Sequence, residues 1–186
     1  MEEIDLYLEE AQELMEKAVL HTRQELSKVR AGKAMPNMLD DIRVDYYGAP
    51  TPLNQVSSVT TPDARTLAIK PFDKNTLGLI VNAIRNSDLG LNPINDGDLV
   101  RINIPPLTEE RRRDLLRQVK NDIENGKISI RSIRKDTNDS LRKLQKEGAP
   151  EDAVKRGEDR VQQLTDKYVS TIDEVYAQKE KEIMTV

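Results

Sequence analysis

Apolar residues recur at spacings of three and four through three long stretches of the chain. In the first, Ile4, Tyr7, Ala11, Leu14, Ala18 and Val29 share one helical face, with Met15, Thr22 and Leu26 beside them. The second stretch carries Leu116, Val119, Ile123, Ile130, Ile133, Thr137, Leu141 and Leu144. The third carries Val161, Leu164, Tyr168, Ile172, Val175 and Ile183. Each pattern predicts an amphipathic helix with a single apolar stripe. Thr108 is placed to cap the second helix, with Glu109 and Glu110 in its first turn, and Gly148 and Pro150 separate the second helix from the third. At 1.5 Å per residue these two helices would be roughly 55 Å and roughly 50 Å long. Rods of that length with one stripe each need partners, which predicts a three-helix bundle.

The pattern changes between about residues 33 and 104. Ile42–Tyr47, Ser57–Thr61, Thr66–Lys70 and Leu99–Ile104 are short β-rich or alternating segments bounded by Gly, Pro and Asp. Thr76–Asn86, with Leu77, Ile80, Val81 and Ile84, reads as a short amphipathic helix, and Pro50, Pro52, Pro62, Pro71 and Pro93 punctuate the remainder. The expected fold class is therefore α+β. A bundle formed by 1–30 and 107–186 carries a small α/β domain, 31–106, inserted between its first two helices. An inserted domain has two connections, here Arg30-Ala31-Gly32-Lys33 and Pro105-Pro106. Two short linkers side by side form a hinge with few directions of motion, Gly32 supplying freedom and the prolines stiffness. The simpler alternative is that Gly32 only ends the first helix.

Composition narrows the chemistry. The 186 residues include no Cys and one His, His21, which excludes thiolate chemistry, disulfides and a multi-histidine metal site. No phosphate-cradling glycine loop, zinc-protease helix or nucleophile elbow is present. A non-enzyme without cofactor or metal is the expectation. The acidic N-terminus and the lack of an 18-residue apolar run argue against a secretory signal or membrane span, so the chain is expected in the cytoplasm.

The net charge of -4 hides an uneven distribution. Residues 107–146 carry 12 basic and 7 acidic side chains, a local excess of +5, while residues 1–30 and 147–186 are each at -4. On an ideal helix turning about 100° per residue, Arg113, Arg117, Lys120, Lys127, Arg131, Arg134, Lys135 and Arg142 fall within about 100° of arc. Apolar residues flank them on one side and Asp114, Asp136 and Asp139 on the other; Glu124 is the one acid inside the stripe. A longitudinal row of cations on a stiff rod is the electrostatic footprint of phosphate binding. With no Trp and one Phe, Phe72, recognition would rest on shape and backbone phosphates instead of stacked bases. The competing interpretation is a chaperone-like helical rod whose charges only keep it dispersed.

Five blocks of residues resemble one family across essentially the whole chain. They are Arg30-Ala31-Gly32-Lys33, Tyr46-Tyr47-Gly48-Ala49-Pro50-Thr51-Pro52-Leu53 and Ser87-Asp88-Leu89-Gly90-Leu91-Asn92-Pro93. After them come Pro105-Pro106-Leu107-Thr108-Glu109-Glu110-Arg111-Arg112 and Ile130-Arg131-Ser132-Ile133-Arg134-Lys135-Asp136. The sequence resembles the bacterial ribosome recycling factors. That resemblance implies an L-shaped monomer, a three-helix bundle with a hinged α/β domain. Such a factor, with elongation factor G and GTP, splits post-termination ribosomes and so frees messenger RNA and deacylated transfer RNA. It further implies that the second helix grips large-subunit ribosomal RNA at the subunit interface. Arg134 matches the arginine most closely tied to function, and Arg131 and Lys135 fall in the same motif. Lys33 and Lys135 stand where the family often has Arg, which keeps the charge but loses the planar fork.

Overall fold

Residues 2–29 and 32–185 are described by the computed structural model, and they divide into two compact units, Met1–Ala31 with Glu109–Val186 and Gly32–Thr108. The first unit contains three long helices, α1 (Glu2–Ser27), α4 (Glu109–Lys146) and α5 (Glu151–Met184). Contacts fix their directions. Ile4 and Leu8 of α1 share a core cluster with Leu141 and Leu144 of α4 and with Val154 and Val161 of α5. Thus α1 runs antiparallel to α4 and parallel to α5. The tight turn at Gly148 (φ +112°), where Ala149 N–H donates to the Leu144 carbonyl at 3.0 Å, reverses the chain between α4 and α5.

The apolar seam of α1 is Ile4, Leu8, Ala11, Met15, Val19, Thr22 and Leu26, each three or four residues from the last. Ile4, Ala11 and Val29 of the expected stripe are buried, as are the flanking Met15, Thr22 and Leu26, but Leu14 is 43% exposed and Tyr7 and Ala18 are only half-buried, Leu8 and Val19 taking the buried places. Both rows satisfy helical spacing. The choice between them is made by the wedge that α1 fills between two partner helices, because packing decides where periodicity is degenerate. In α4 and α5 the expected stripes are buried but for single positions: Leu115 is buried in place of Leu116 and Thr165 in place of Leu164, and Ile133 is half-buried.

Glycines at two positions within the helices let the rods approach closely. A Cβ on Gly126 of α4 would overlap Thr22 Oγ1 of α1, and one on Gly157 of α5 would stand 3.1 Å from Ile4 Cγ2. Tyr168 closes the α1–α5 seam by donating its hydroxyl to Glu16 Oε1 at 2.9 Å. With a hydrogen bond from Gln12 and that from Tyr168, the Glu16 carboxyl is held below its usual range.

The second unit is built on an antiparallel sheet in the order β3 (Ser57–Asp63), β4 (Thr66–Pro71), β6 (Val100–Asn103), β5 (Pro93–Asn95). A separate hairpin, β1 (Arg43–Tyr46) and β2 (Ala49–Pro52), is followed by one helical turn, α2 (Leu53–Val56). Helix α3 (Leu77–Arg85) packs Ile80 and Ile84 against Val44, Leu67, Ile69, Val100 and Ile102. Strands β2 and β5 escape the sequence pattern because Pro50, Pro52 and Pro93 lie in them. Both are edge strands, where a missing N–H leaves no ladder partner unsatisfied.

The β1–β2 turn has an unusual residue. Tyr47 and Gly48 both have positive φ, 51° and 83°, which is the type I′ geometry of a two-residue hairpin. Asn, Asp or Gly normally occupies the first of these places, whereas here it is held by Tyr47, a residue 81% exposed. Tyr47→Asn is therefore expected to stabilise the unit by about 1 kcal/mol, seen as a rise of roughly 4–8 °C in its unfolding midpoint. An unchanged or lower midpoint would mean that ring contacts, such as the edge-on one with Tyr46 at 4.5 Å between centroids, outweigh the strain.

Candidate nucleic-acid interface

Helix α4 is unbroken from Glu109 to Lys146, so all eight cations of the stripe are fixed along one rod. Arg113, Arg117, Lys120, Arg131, Lys135 and Arg142 are exposed; Lys127 and Arg134 are half-buried. One border of the stripe differs from the sequence picture, since α5 runs directly beside it. Lys127 Nζ contacts Asp173 Oδ1 at 2.5 Å, Arg142 Nε contacts Glu158 Oε1 at 3.0 Å, and Arg134 Nη1 donates to Gln162 Oε1 at 3.5 Å. Packing of α4 on α5 produces these crossings, a tertiary fact that spacing within α4 could not reveal.

The cations consequently divide into three groups. Lys127 and Arg142 are tied to α5 carboxylates, and the Lys127 side chain is only 20% exposed. Arg113, Arg117 and Arg131 pair within α4, with Glu109 at 2.7 Å, Asp114 at 3.9 Å and Glu124 at 3.3 Å. These are exposed pairs, worth at most about 1 kcal/mol each, and they can be exchanged for phosphate at little expense. Lys120, Arg134 and Lys135 have no carboxylate within ion-pair distance among the described residues.

Arg134 combines two properties. Its side chain is half-buried, and its contact at 3.5 Å is neutral, so the charge is not compensated. Gln162 Nε2 donates to Asp166 Oδ1 at 2.9 Å, which turns the amide so that Oε1 faces the guanidinium. Most of the five N–H donors of Arg134 stay unused, in the planar fork that fits a phosphate with two parallel bonds. Gln162, which sequence reasoning missed, is thus the neutral neighbour of this guanidinium. No signal within the sequence of α5 would have marked it.

Other candidate chemistry lies elsewhere. His21 is exposed on α1, beside a shallow cleft with Glu25, Asp122 and Gly126. Burial, and then the charge of Glu25, push the Asp122 carboxyl above its usual range, on the side of α4 away from the stripe. Among the described residues no three His, Asp or Glu side chains are placed to hold a metal ion, and no helix is long and apolar enough to cross a membrane.

Of the expected hinge residues, Arg30 and Ala31 lie outside the described residues. Gly32 has φ +74°, and a Cβ there would stand 2.7 Å from Leu107 Cγ, so the first linker passes close against the residue that follows Pro105 and Pro106. Both prolines and Lys33 are exposed.

Comparison with known proteins agrees along the whole length. A family model described as ribosome recycling factor matches residues 22–184. The ribosome-recycling factors of Amoebophilus asiaticus and Cytophaga hutchinsonii are each 56% identical over 186 residues, covering 100% of both chains. That of Bacillus licheniformis is 52% identical over 180 residues, or 96% of this chain and 97% of its own. Among solved structures, a solution structure of the ribosome recycling factor is similar with a TM-score of 0.77 and 36% identity, covering 100% of both chains. The Thermus thermophilus factor, in a complex with Escherichia coli elongation factor G on the E. coli post-termination complex, matches with a TM-score of 0.62 and 45% identity, covering 98% of this chain and 99% of that one. Architecture and sequence lead to one conclusion: this chain belongs to the ribosome recycling factor family.

Proposed function

We propose that this protein acts with elongation factor G and GTP to separate post-termination ribosomes into subunits, releasing messenger RNA and deacylated transfer RNA. The observation that carries this reading is the α4 stripe, above all the three cations, Lys120, Arg134 and Lys135, that have no internal counter-charge. The related factor bound with elongation factor G to a post-termination complex supports the choice of partners. In this account Arg113, Arg117, Lys120, Lys127, Arg131, Arg134 and Lys135 face large-subunit ribosomal RNA. The protein works as a monomer in the cytoplasm and performs no covalent chemistry; GTP is hydrolysed by its partner.

Salt dependence tests the RNA contact. Each phosphate neutralised adds about 0.7–0.9 to the slope of log K against log salt. Lys135→Ala should flatten the slope of ribosome binding by roughly one phosphate's share. Lys127→Ala should flatten it less, because its ammonium is already committed to Asp173. A shallow slope insensitive to either change would favour the helical rod with no RNA role.

The linkers containing Gly32 and Pro105-Pro106 act as the hinge through which elongation factor G, pushing on the inserted domain, moves the bundle. The motivation is the close pairing of Gly32 with Leu107. A disulfide locking the inserted domain to the bundle is expected to spare ribosome binding and stop splitting. Splitting at full rate by the locked protein would make the hinge incidental.

A further inference from the structure

A cleft of about 690 Å³ opens between β1 and α3 in the second unit. Its floor is apolar, formed by Ile42, Leu79, Ala83 and Leu89. Leu79, Asn82, Ala83 and Asn86 line it at i, i+3, i+4 and i+7, so one whole side of α3 faces the opening. Helix α3 buries Leu77, Ile80 and Ile84 in the core but leaves Leu79 41% exposed into this cleft.

The rim is anionic. Asp41, Asp45 and Asp88 surround the cleft against a single cation, Arg43. The eight acidic residues between Gly32 and Thr108 are all Asp, and four of them are engaged inside the unit. Asp63 accepts from Arg65 N–H and Thr66, Asp73 from Asn75 N–H, Asp96 pairs with Arg101 and Asp98 with Lys74. Of the other four, three are those on this rim, and among the described residues no ion pair or side-chain hydrogen bond engages them. Uncompensated carboxylates around an exposed leucine repel phosphates and attract ammonium and guanidinium groups.

We infer that the β1–α3 cleft is a docking site for a cationic protein segment, one that seats an apolar side chain on Leu79 and places Lys or Arg beside Asp41, Asp45 and Asp88. This surface is chemically opposite to the α4 stripe, and it gives the protein a protein-binding site alongside an RNA-binding one. The volume lies within the range of about 300–1,000 Å³ typical of binding clefts, enough for one or two large side chains.

The test uses the full-length 15N-labelled protein. The probe is an amidated 12-residue peptide with Leu at helical i, i+3, i+4, i+7 spacing and Lys between. Amide shifts are expected to concentrate in 41–45 and 79–89. Leu79→Lys should weaken binding about tenfold and Asp45→Asn about threefold, since one removes the apolar seat and the other a single exposed charge. Asp45 is an exposed strand residue, so its variant carries the test even if Leu79→Lys perturbs the fold. A peptide with Glu in place of Lys should bind at least about tenfold more weakly. Shifts centred on acidic α1, equal affinity of both variants and wild type, or displacement of the peptide from the cleft by oligouridine would each overturn the inference.

Discussion

Arg134→Ala is expected to weaken ribosome binding by roughly 30-fold while leaving the fold intact. A charge-assisted hydrogen bond to a fixed partner is worth about 1.5–3 kcal/mol, and 1.4 kcal/mol is a factor of ten in affinity. Of the eight stripe cations, Arg134 comes nearest to that value. Its side chain is half-buried, and its contact, Gln162 at 3.5 Å, is neutral. Docking therefore breaks no ion pair there. Arg142→Ala should cost much less, because docking must first release its contact with Glu158. Arg134→Lys should recover only part of the loss, as an ammonium keeps the charge without the planar fork. Affinities measured by sedimentation or fluorescence at one fixed salt concentration decide the order. Equal losses for Arg134→Ala and Arg142→Ala would refute the distinction drawn between free and committed cations.

Gly126→Ala should destabilise the bundle by about 2 kcal/mol, although alanine is the better helix former by about 1 kcal/mol. The added methyl would overlap Thr22 Oγ1 and stand 3.1 Å from Ile172 Cδ1. Thr22 cannot easily yield: it is 3% exposed, and its hydroxyl donates to the Ala18 carbonyl at 2.9 Å. The strain must instead part α1 from α4, loosening the packing around Met15, Val19 and Ile130, all buried in that seam. The unfolding midpoint should fall by roughly 4–8 °C. The partner variant isolates the cause. In a Thr22→Ala background the overlap with Oγ1 is gone, and Gly126→Ala should become neutral or stabilising, a coupling of about 2 kcal/mol. Destabilisation of equal size in both backgrounds would place the cause elsewhere.

The long helices were legible because their repeats run for many turns, and the acidic first turn at Glu109 and Glu110 and the turn at Gly148 agree with the periodicity. The face each helix buries was less legible. Leu14 and Leu8 satisfy neighbouring stripes of α1, and only the two partner helices select Leu8. Strands β2 and β5 were hidden because proline argues against a strand unless it lies at an edge, and edges are assigned by neighbours that sequence does not supply. At the candidate site the stripe itself was visible in α4 alone, since its residues share one helix. Its internal differences were not: Asp173, Glu158 and Gln162 come from α5 and decide which cations are committed. The anionic cleft beside Leu79 was likewise invisible, because Asp41, Asp45 and Asp88 are brought together by folding and are unremarkable in sequence.

The most direct measurement is rapid-mixing light scattering of post-termination ribosomes with this protein, elongation factor G and GTP. The account predicts a fall in scattered light, as ribosomes part into subunits, that requires all three components and slows sharply with Arg134→Ala. Unchanged scattering under conditions where the protein is bound and elongation factor G hydrolyses GTP would contradict it.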